Sequence, residues 1–429
     1  MIRFGQALTT ASRGRRFTAA PAAAREAMSL RGDPDFDPLT LSGAQQTRLT
    51  HMKSLITRGT DDNRDPYHIA RRDCIWWYSH DLRTNVDAQL TAFRVTGDLW
   101  FLDTIYELAT LMIAELDTKY RGTHASGATE GSDTGYLMWV EREHPSIANQ
   151  GTDLREDYDY ATHALFARMA YAFHNNRDLT SPKSYDYGAR ADWMLSYLVN
   201  HFEAKLRDRH SKPTGFPIRN WPAQNDRYFG WANWHYYMGL LAGDNAYTTE
   251  AERMNGILVH ADNLCSYSTA TGTAYAFKRN AQWVTSGIGD YICPSTYTEF
   301  PFSDVLDMHF QGFDVWANEV HLERFGRAIT QRMRDEANVV ANGMSDCMAG
   351  GTTPCGWTTR TGDFTRINAF RYQNGAWGLL SPWDATGDIA SINEAMRAHS
   401  ETQAETDDTW DRTRVLAAQF LHEHLGGGA

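Results

Sequence analysis

The densest group of chemically capable side chains is Arg219-Asn220-Trp221-Pro222, then Asn225-Asp226-Arg227-Tyr228, then Trp231-Ala232-Asn233-Trp234-His235-Tyr236-Tyr237. Asn-Asp ahead of an aromatic run reads as a loop closing on a helix N-cap, which gathers polar groups at a helix mouth. At about 100° per residue, Asn233 and His235 stand about 200° apart on a regular helix, so they converge only if the helix start is irregular. Asn233 with Tyr236 or Tyr237 is the easier same-face set. A second group is Arg155-Glu156-Asp157-Tyr158-Asp159-Tyr160 with His163, in which Glu156, Tyr160 and His163 share one helical face. A third runs from Lys278-Arg279 through Asp290-Tyr291 to Ser295-Thr296-Tyr297-Thr298-Glu299, with His309 further on. Tyr297 falls in a polar loop before a helix, the kind of segment that supplies catalytic groups to a rigid scaffold. Each group also has a packing reading: an aromatic core, a hydrogen-bonded core histidine, a turn tyrosine.

These residue types fit one chemistry well. β-Elimination in a uronic-acid glycan removes the weakly acidic C5 proton beside a carboxylate. An Asn, Arg or protonated His neutralises that carboxylate and stabilises the enolate-like transition state. A Tyr or His accepts the proton, and a Tyr or His protonates the departing glycosidic oxygen. No metal or organic cofactor is needed. A hydrolase would instead use two carboxylates, for which Asp157, Asp159 and Asp226 are the candidates. A non-catalytic glycan-binding scaffold is the third class.

The elements that must position these groups read as helices. Phe101–Leu116, Ala161–Phe173, Ala191–Phe202, Ala251–Leu264, Val315–Phe325 and Val415–Leu425 carry apolar residues at helical spacing. Strand or hairpin patterns are confined to Ala274–Val284 and Gly356–Phe364. A weak internal repeat is more informative. Thr96-Gly97-Asp98, Asn176-Arg177-Asp178, Ala242-Gly243-Asp244 and Thr386-Gly387-Asp388 each separate two helical runs, with Phe325-Gly326-Arg327 in the remaining gap. Where glycine is present it can close one helix in the left-handed conformation, and Asp can cap the next. Helices before these junctions are crowded with Trp, Tyr, His and Asn; those after are ordinary amphipathic helices. Two concentric rings explain the difference, which predicts an all-α fold: an (α/α)6-7 toroid with minor β-hairpin insertions. The expected organisation is a flexible arm over residues 1–30 and one catalytic toroid over residues 31–429.

Composition bounds the rest. The 429 residues are 42% hydrophobic and only 22% charged, so the chain buries a core and is not a disordered acidic segment. The net charge of −12 carries no basic footprint of a general nucleic-acid binder, and no apolar run is long enough to span a membrane. The 14 Trp, 20 Tyr and 19 Phe suit sugar stacking as well as core packing. G-x-S-x-G, H-E-x-x-H and P-loop motifs are absent, and His422-Glu423-His424 lacks a third metal ligand. Of five Cys, Cys347 and Cys355 bracket a loop at a spacing that fits a disulfide, and the odd count leaves at least one free thiol. The Arg-rich start has no apolar signal core.

With these residues in hand, the chain resembles the α/α-barrel polysaccharide lyases, among them alginate and glucuronan lyases. Asn233-Trp234-His235-Tyr236-Tyr237 looks like their Asn/His-bearing inner helix, although theirs tend to set Asn directly beside His and here Trp234 intervenes. The resemblance also implies a Tyr on a later segment, for which Tyr297 is the best candidate, and an Arg near it, for which Arg279 is the nearest. It implies Asn233 with Arg279 or His163 as carboxylate neutralisers, Tyr297 as base or acid, and His235 or His163 as its partner. Substrate contacts are expected from Trp76, Trp77, Arg155, Arg219, Trp221, Arg227, Tyr228, Tyr236 and Tyr237. The implied partner is an acidic polysaccharide, met in a secreted or periplasmic setting, with no cofactor.

Overall fold

The computed structural model describes residues 41–57, 65–119, 133–139, 156–206, 225–258, 264–268, 273–277 and 409–424, with residue 131 and several positions between 390 and 398. These residues are predominantly helical, as expected. Helix α1 (Gly43–Thr57) is followed by the short α2 (Pro66–Ala70), capped by Asp65, which accepts from the Tyr67 N–H at 2.9 Å. Next, α3 (Ile75–Trp77) continues through a π-helical turn, Tyr78–Leu82, into α4 (Arg83–Thr96). Gly97 then adopts φ +66°, and Asp98 accepts from the Trp100 N–H at 3.0 Å to open α5 (Leu99–Ala114). This is the junction expected from Gly-Asp: glycine reverses the chain without a Cβ penalty and the carboxylate satisfies an orphan amide. The device recurs between α8 (Asn225–Ala242) and α9 (Asn245–Leu258), where Gly243 has φ +64° and Asp244 accepts from the Ala246 N–H at 2.9 Å.

The junction at Asp178 differs. Helix α6 (Glu156–Asn175) ends as read, but α7 (Tyr187–Tyr197) starts only after Asp186, which accepts from the Ala189 N–H at 2.9 Å. The Asn176 amide turns back to the Ala172 carbonyl, and the segment that follows is tied to α5. Ser181 and Tyr187 both donate to Asp103 at 2.6 Å, and Lys183 and Tyr185 donate to Glu107. Helix restart is therefore set by carboxylates on a neighbouring helix, not by the local sequence. Helix α7 runs on into a second π-helical stretch, Leu198–Glu203, where the pattern predicts unbroken α-helix.

The contacts define direction. Thr162 on α6 donates to the Ile75 carbonyl, and Arg168 further along α6 pairs with Asp87, so α4 and α6 run parallel. Tyr160 meets Trp231 and Tyr171 meets Tyr237, so α6 and α8 run parallel too. Their partners return: Trp231 donates to Glu250, while Gly239 lies against Thr248 and Asp244, making α9 antiparallel to α8. The last helix, α10 (Thr409–His424), packs on α4, where Arg414 donates to Thr84 at 2.7 Å, and on α1, where Arg48 meets Glu423 at 2.6 Å. A chain whose final helix seats beside its first inner helix makes the closure that a toroid requires. Helix α4, hemmed in by α6 and α10, is buried nearly all round, polar Thr84, Asn85, Asp87 and Gln89 included.

Two antiparallel hairpins complete the described residues. In the first, β1 (Asp117–Lys119) pairs with β2 (Asp133–Met138), a pairing without a sequence expectation. In the second, β3 (Leu264–Ser268) pairs with β4 (Thr273–Phe277). The helix expected over Ala251–Leu264 stops at Leu258, and Leu264 opens β3 instead, so the strand signal at Ala274 marks the second arm of a hairpin. Val315–Phe325, Gly356–Phe364, the Gly326 and Gly387 junctions, the arm at 1–30 and the number of hairpins lie outside the described residues. No helix among the described residues is long and apolar enough to cross a membrane.

Candidate active site at the mouth of the inner helices

Because α3–α4, α6 and α8 run parallel, their N-terminal ends share one end of the bundle. That end collects the chemically capable residues: Trp76 and Trp77 at the start of the first, Asp159–His163 at the start of the second, Trp231–Tyr237 in the first half of the third. Helix N-termini present unpaired N–H groups and the positive end of the helix dipole, which favours anions at such a mouth.

Asn233 and His235 do not meet. Helix α8 is regular, so they leave it in different directions. The His235 ring lies against Trp231 (4.0 Å between centroids), Trp234 (4.5 Å) and Tyr247 of α9 (6.0 Å), on the side facing the outer helix. Its Nδ1–H donates to the Trp231 carbonyl at 3.0 Å, which assigns the basic lone pair to Nε2. Asn233 is half-buried, its Oδ1 is buried without a hydrogen-bond partner, and Tyr236 and Tyr237 are buried beside it on the helix. An amide oxygen left unsatisfied this way costs free energy that a ligand can restore.

His163 occupies a different setting. Its ring stacks flat on Phe202 at 3.5 Å and packs against Trp139 at 5.1 Å. Nδ1–H donates to the Asp159 carbonyl at 2.7 Å, and Nε2 accepts from the Tyr197 hydroxyl at 3.1 Å. Burial and the Lys205 cation hold it neutral, well below the usual histidine range, while burial with the Asp159 and Asp73 carboxylates pushes Tyr197 far above the usual phenol range. Both nitrogens are used and the ring is sealed, so His163 in this geometry orients its surroundings. Tyr160 shares its face and also meets Phe202 (6.3 Å), as the spacing predicts. Asp159 is engaged by Lys205 at 3.4 Å, both nearly fully buried.

Trp76 and Trp77 are half-buried with their planes at 86° and centroids 4.7 Å apart. Arg155, Arg219, Trp221, Arg279 and Tyr297 lie outside the described residues; Arg227 and Tyr228 fall on α8, but their side chains are not among those described. Sequence reasoning missed Lys205, Tyr197, Phe202 and Trp139, which build the floor under the mouth, and Arg72, whose guanidinium lies 5.1 Å from the Trp77 ring centroid. Trp139 donates its indole N–H to the Met112 carbonyl at 2.8 Å, which locks it against His163. No group of three metal-ligating side chains is assembled among the described residues, and Glu423 of the His-Glu-His triplet is engaged by Arg48 and Gln45.

No family model matches the chain, and no curated protein matches it. A solved structure named as a polysaccharide lyase is similar to it, with a TM-score of 0.45 and 12% identity over 88% of this chain and 97% of that one.

Proposed function

We propose that the chain is a polysaccharide lyase that cleaves a uronic-acid glycan, of alginate or glucuronan type, by metal-independent β-elimination. The observation that carries this reading is the convergence of three parallel inner helices on one mouth, with paired indoles on one and an amide with an unsatisfied oxygen on another. Positive helix ends and an amide donor suit a substrate carboxylate, and flat indoles suit pyranose rings. In this mechanism Asn233, with Arg279, binds the carboxylate and spreads the charge that develops on it when C5 loses its proton. Tyr297 takes that proton or returns one to the leaving oxygen, with His235 as its partner through Nε2. His163 holds the floor beneath them. Arg155, Arg219, Trp221, Arg227, Tyr228, Tyr236 and Tyr237 complete the substrate contacts with Trp76 and Trp77. Hydrolysis by paired carboxylates is less well served, because Asp159 is engaged by Lys205.

Incubation with alginate, glucuronan and neutral glycans tests the reading. A lyase leaves an ultraviolet-absorbing C4=C5 bond at each cut, whereas a hydrolase yields reducing ends alone. Tyr297→Phe is expected to remove nearly all turnover while leaving binding of the polymer largely intact; full activity in that variant overturns the assignment.

A further inference from the structure

We infer that Arg72 is a specificity-determining residue, whose guanidinium reads the carboxylate of a uronate ring seated on Trp76 and Trp77. The inference rests on the lyase reading and names one anionic subsite of the same mouth. Arg72 lies in the turn between α2 and α3, immediately before the inner helix that opens the mouth. Its guanidinium lies over Trp77, 5.1 Å from the ring centroid, and hydrogen-bonds the His68 ring through Nη2···Nε2 at 2.8 Å. A cation held on an indole face and steered by a neighbouring ring is fixed in direction at little entropic cost, which is what bidentate carboxylate recognition needs. His68, Arg72, Trp76 and Trp77 are all half-exposed, in a molecule whose other inner-helix aromatics are mostly sealed. Flat apolar surface beside an outward cation matches a pyranose that bears one carboxylate, with the ring on the indoles and the anion on the arginine.

The test compares binding of a polyuronate with binding of the same polymer after its carboxyls are reduced to alcohols, for the wild type, Arg72→Met and Arg72→Lys. The wild type is expected to prefer the polyuronate. Arg72→Met should lose about tenfold or more in polyuronate affinity, the size of one charge-assisted interaction, with binding of the reduced polymer unchanged. Arg72→Lys should fall between, since it keeps the charge and loses the fork. Unchanged discrimination in Arg72→Met overturns the inference, as does equal weakening toward both polymers, which is the signature of a merely structural arginine. A wild type that binds neither polymer overturns the lyase reading and this inference together. A wild type that cleaves polyuronates while Arg72→Met discriminates as before overturns the inference alone.

Discussion

At the scale of single residues, Asn233 and His163 separate a group poised for a ligand from one absorbed by the fold. Asn233→Asp is nearly isosteric and breaks no hydrogen bond accepted by Oδ1, so stability should change by no more than about 0.5 kcal/mol. It replaces a donor with a charge that repels the substrate carboxylate, and turnover should fall on the order of 10²-fold or more. Steady-state kinetics beside a denaturant melt checks both halves, and undiminished turnover removes Asn233 from the mechanism. His163 acts on stability instead. Its folded pKa lies well below 6.5, because burial and Lys205 disfavour the imidazolium. Above about pH 6.5 neither state is protonated there; below it the unfolded chain gains a proton that the folded chain refuses, so stability is lost as the pH falls toward the folded value. His163→Gln should be less stable than wild type at neutral pH yet lose stability less steeply on acidification, read from melting temperatures across pH 7.5 to about 5. Parallel slopes would assign the acid sensitivity to other groups. The polar-aromatic character of both sites was legible from residue types and helical spacing. The partners of His163 were not, because Tyr197, Phe202 and Lys205 sit beside or within a π-helical stretch whose extra residue rotates whatever follows it.

At the scale of elements, the mouth depends on how closely α6 and α8 approach. A Cβ on Gly230 would stand 2.9 Å from the Ala161 backbone nitrogen and 3.0 Å from its Cα, and backbone cannot swing aside as a side chain can. Gly230→Ala should therefore push the two helices apart where Tyr160 and Trp231 meet, at a cost of about 1–3 kcal/mol. Turnover should fall with it, although Gly230 carries no functional group. Lowered stability with full activity would show that the mouth tolerates the displacement. Two of the hairpin junctions were readable, since glycine in a left-handed conformation and an Asp cap are local events at Gly97-Asp98 and Gly243-Asp244. The restart at Asp186 was not, because Asp103 and Glu107 hold that segment from another helix. Glu107 keeps its charge despite partial burial, through hydrogen bonds from Lys183, Tyr185 and Tyr67, and its bond to Tyr185 pushes that phenol up to about 12.

At the scale of the whole molecule, the seam between the two ends of the chain decides whether the mouth is held as a ring or as a stack of independent hairpins. The side chains at the seam were visible in sequence only as separate charges: Arg48 and Glu423 are 375 positions apart, and no periodicity links them. In the fold Arg48 reaches both Glu423 oxygens, at 2.6 and 2.7 Å, and lies over Phe420, while Gln45 and Gln419 donate to the same carboxylate. Burial alone would raise Glu423, but these donors outweigh it and hold the group below its ordinary range. Glu423→Gln leaves the nearly buried Arg48 without its anion and should cost about 1–3 kcal/mol, most clearly at neutral pH, where the carboxylate is charged. The cost should shrink as acidification through the folded pKa protonates the wild-type group, because its depressed value means the contribution exists only above it. A closed ring makes a further demand, since loosening its seam must loosen the far side. Amide exchange in α8, which lies across α6 and α4 from the seam, should then accelerate in Glu423→Gln as much as exchange in α10. Faster exchange confined to α10 and α1 would mean that the hairpins behave as a solenoid with a docked tail, and that the mouth is assembled by α4, α6 and α8 without help from closure.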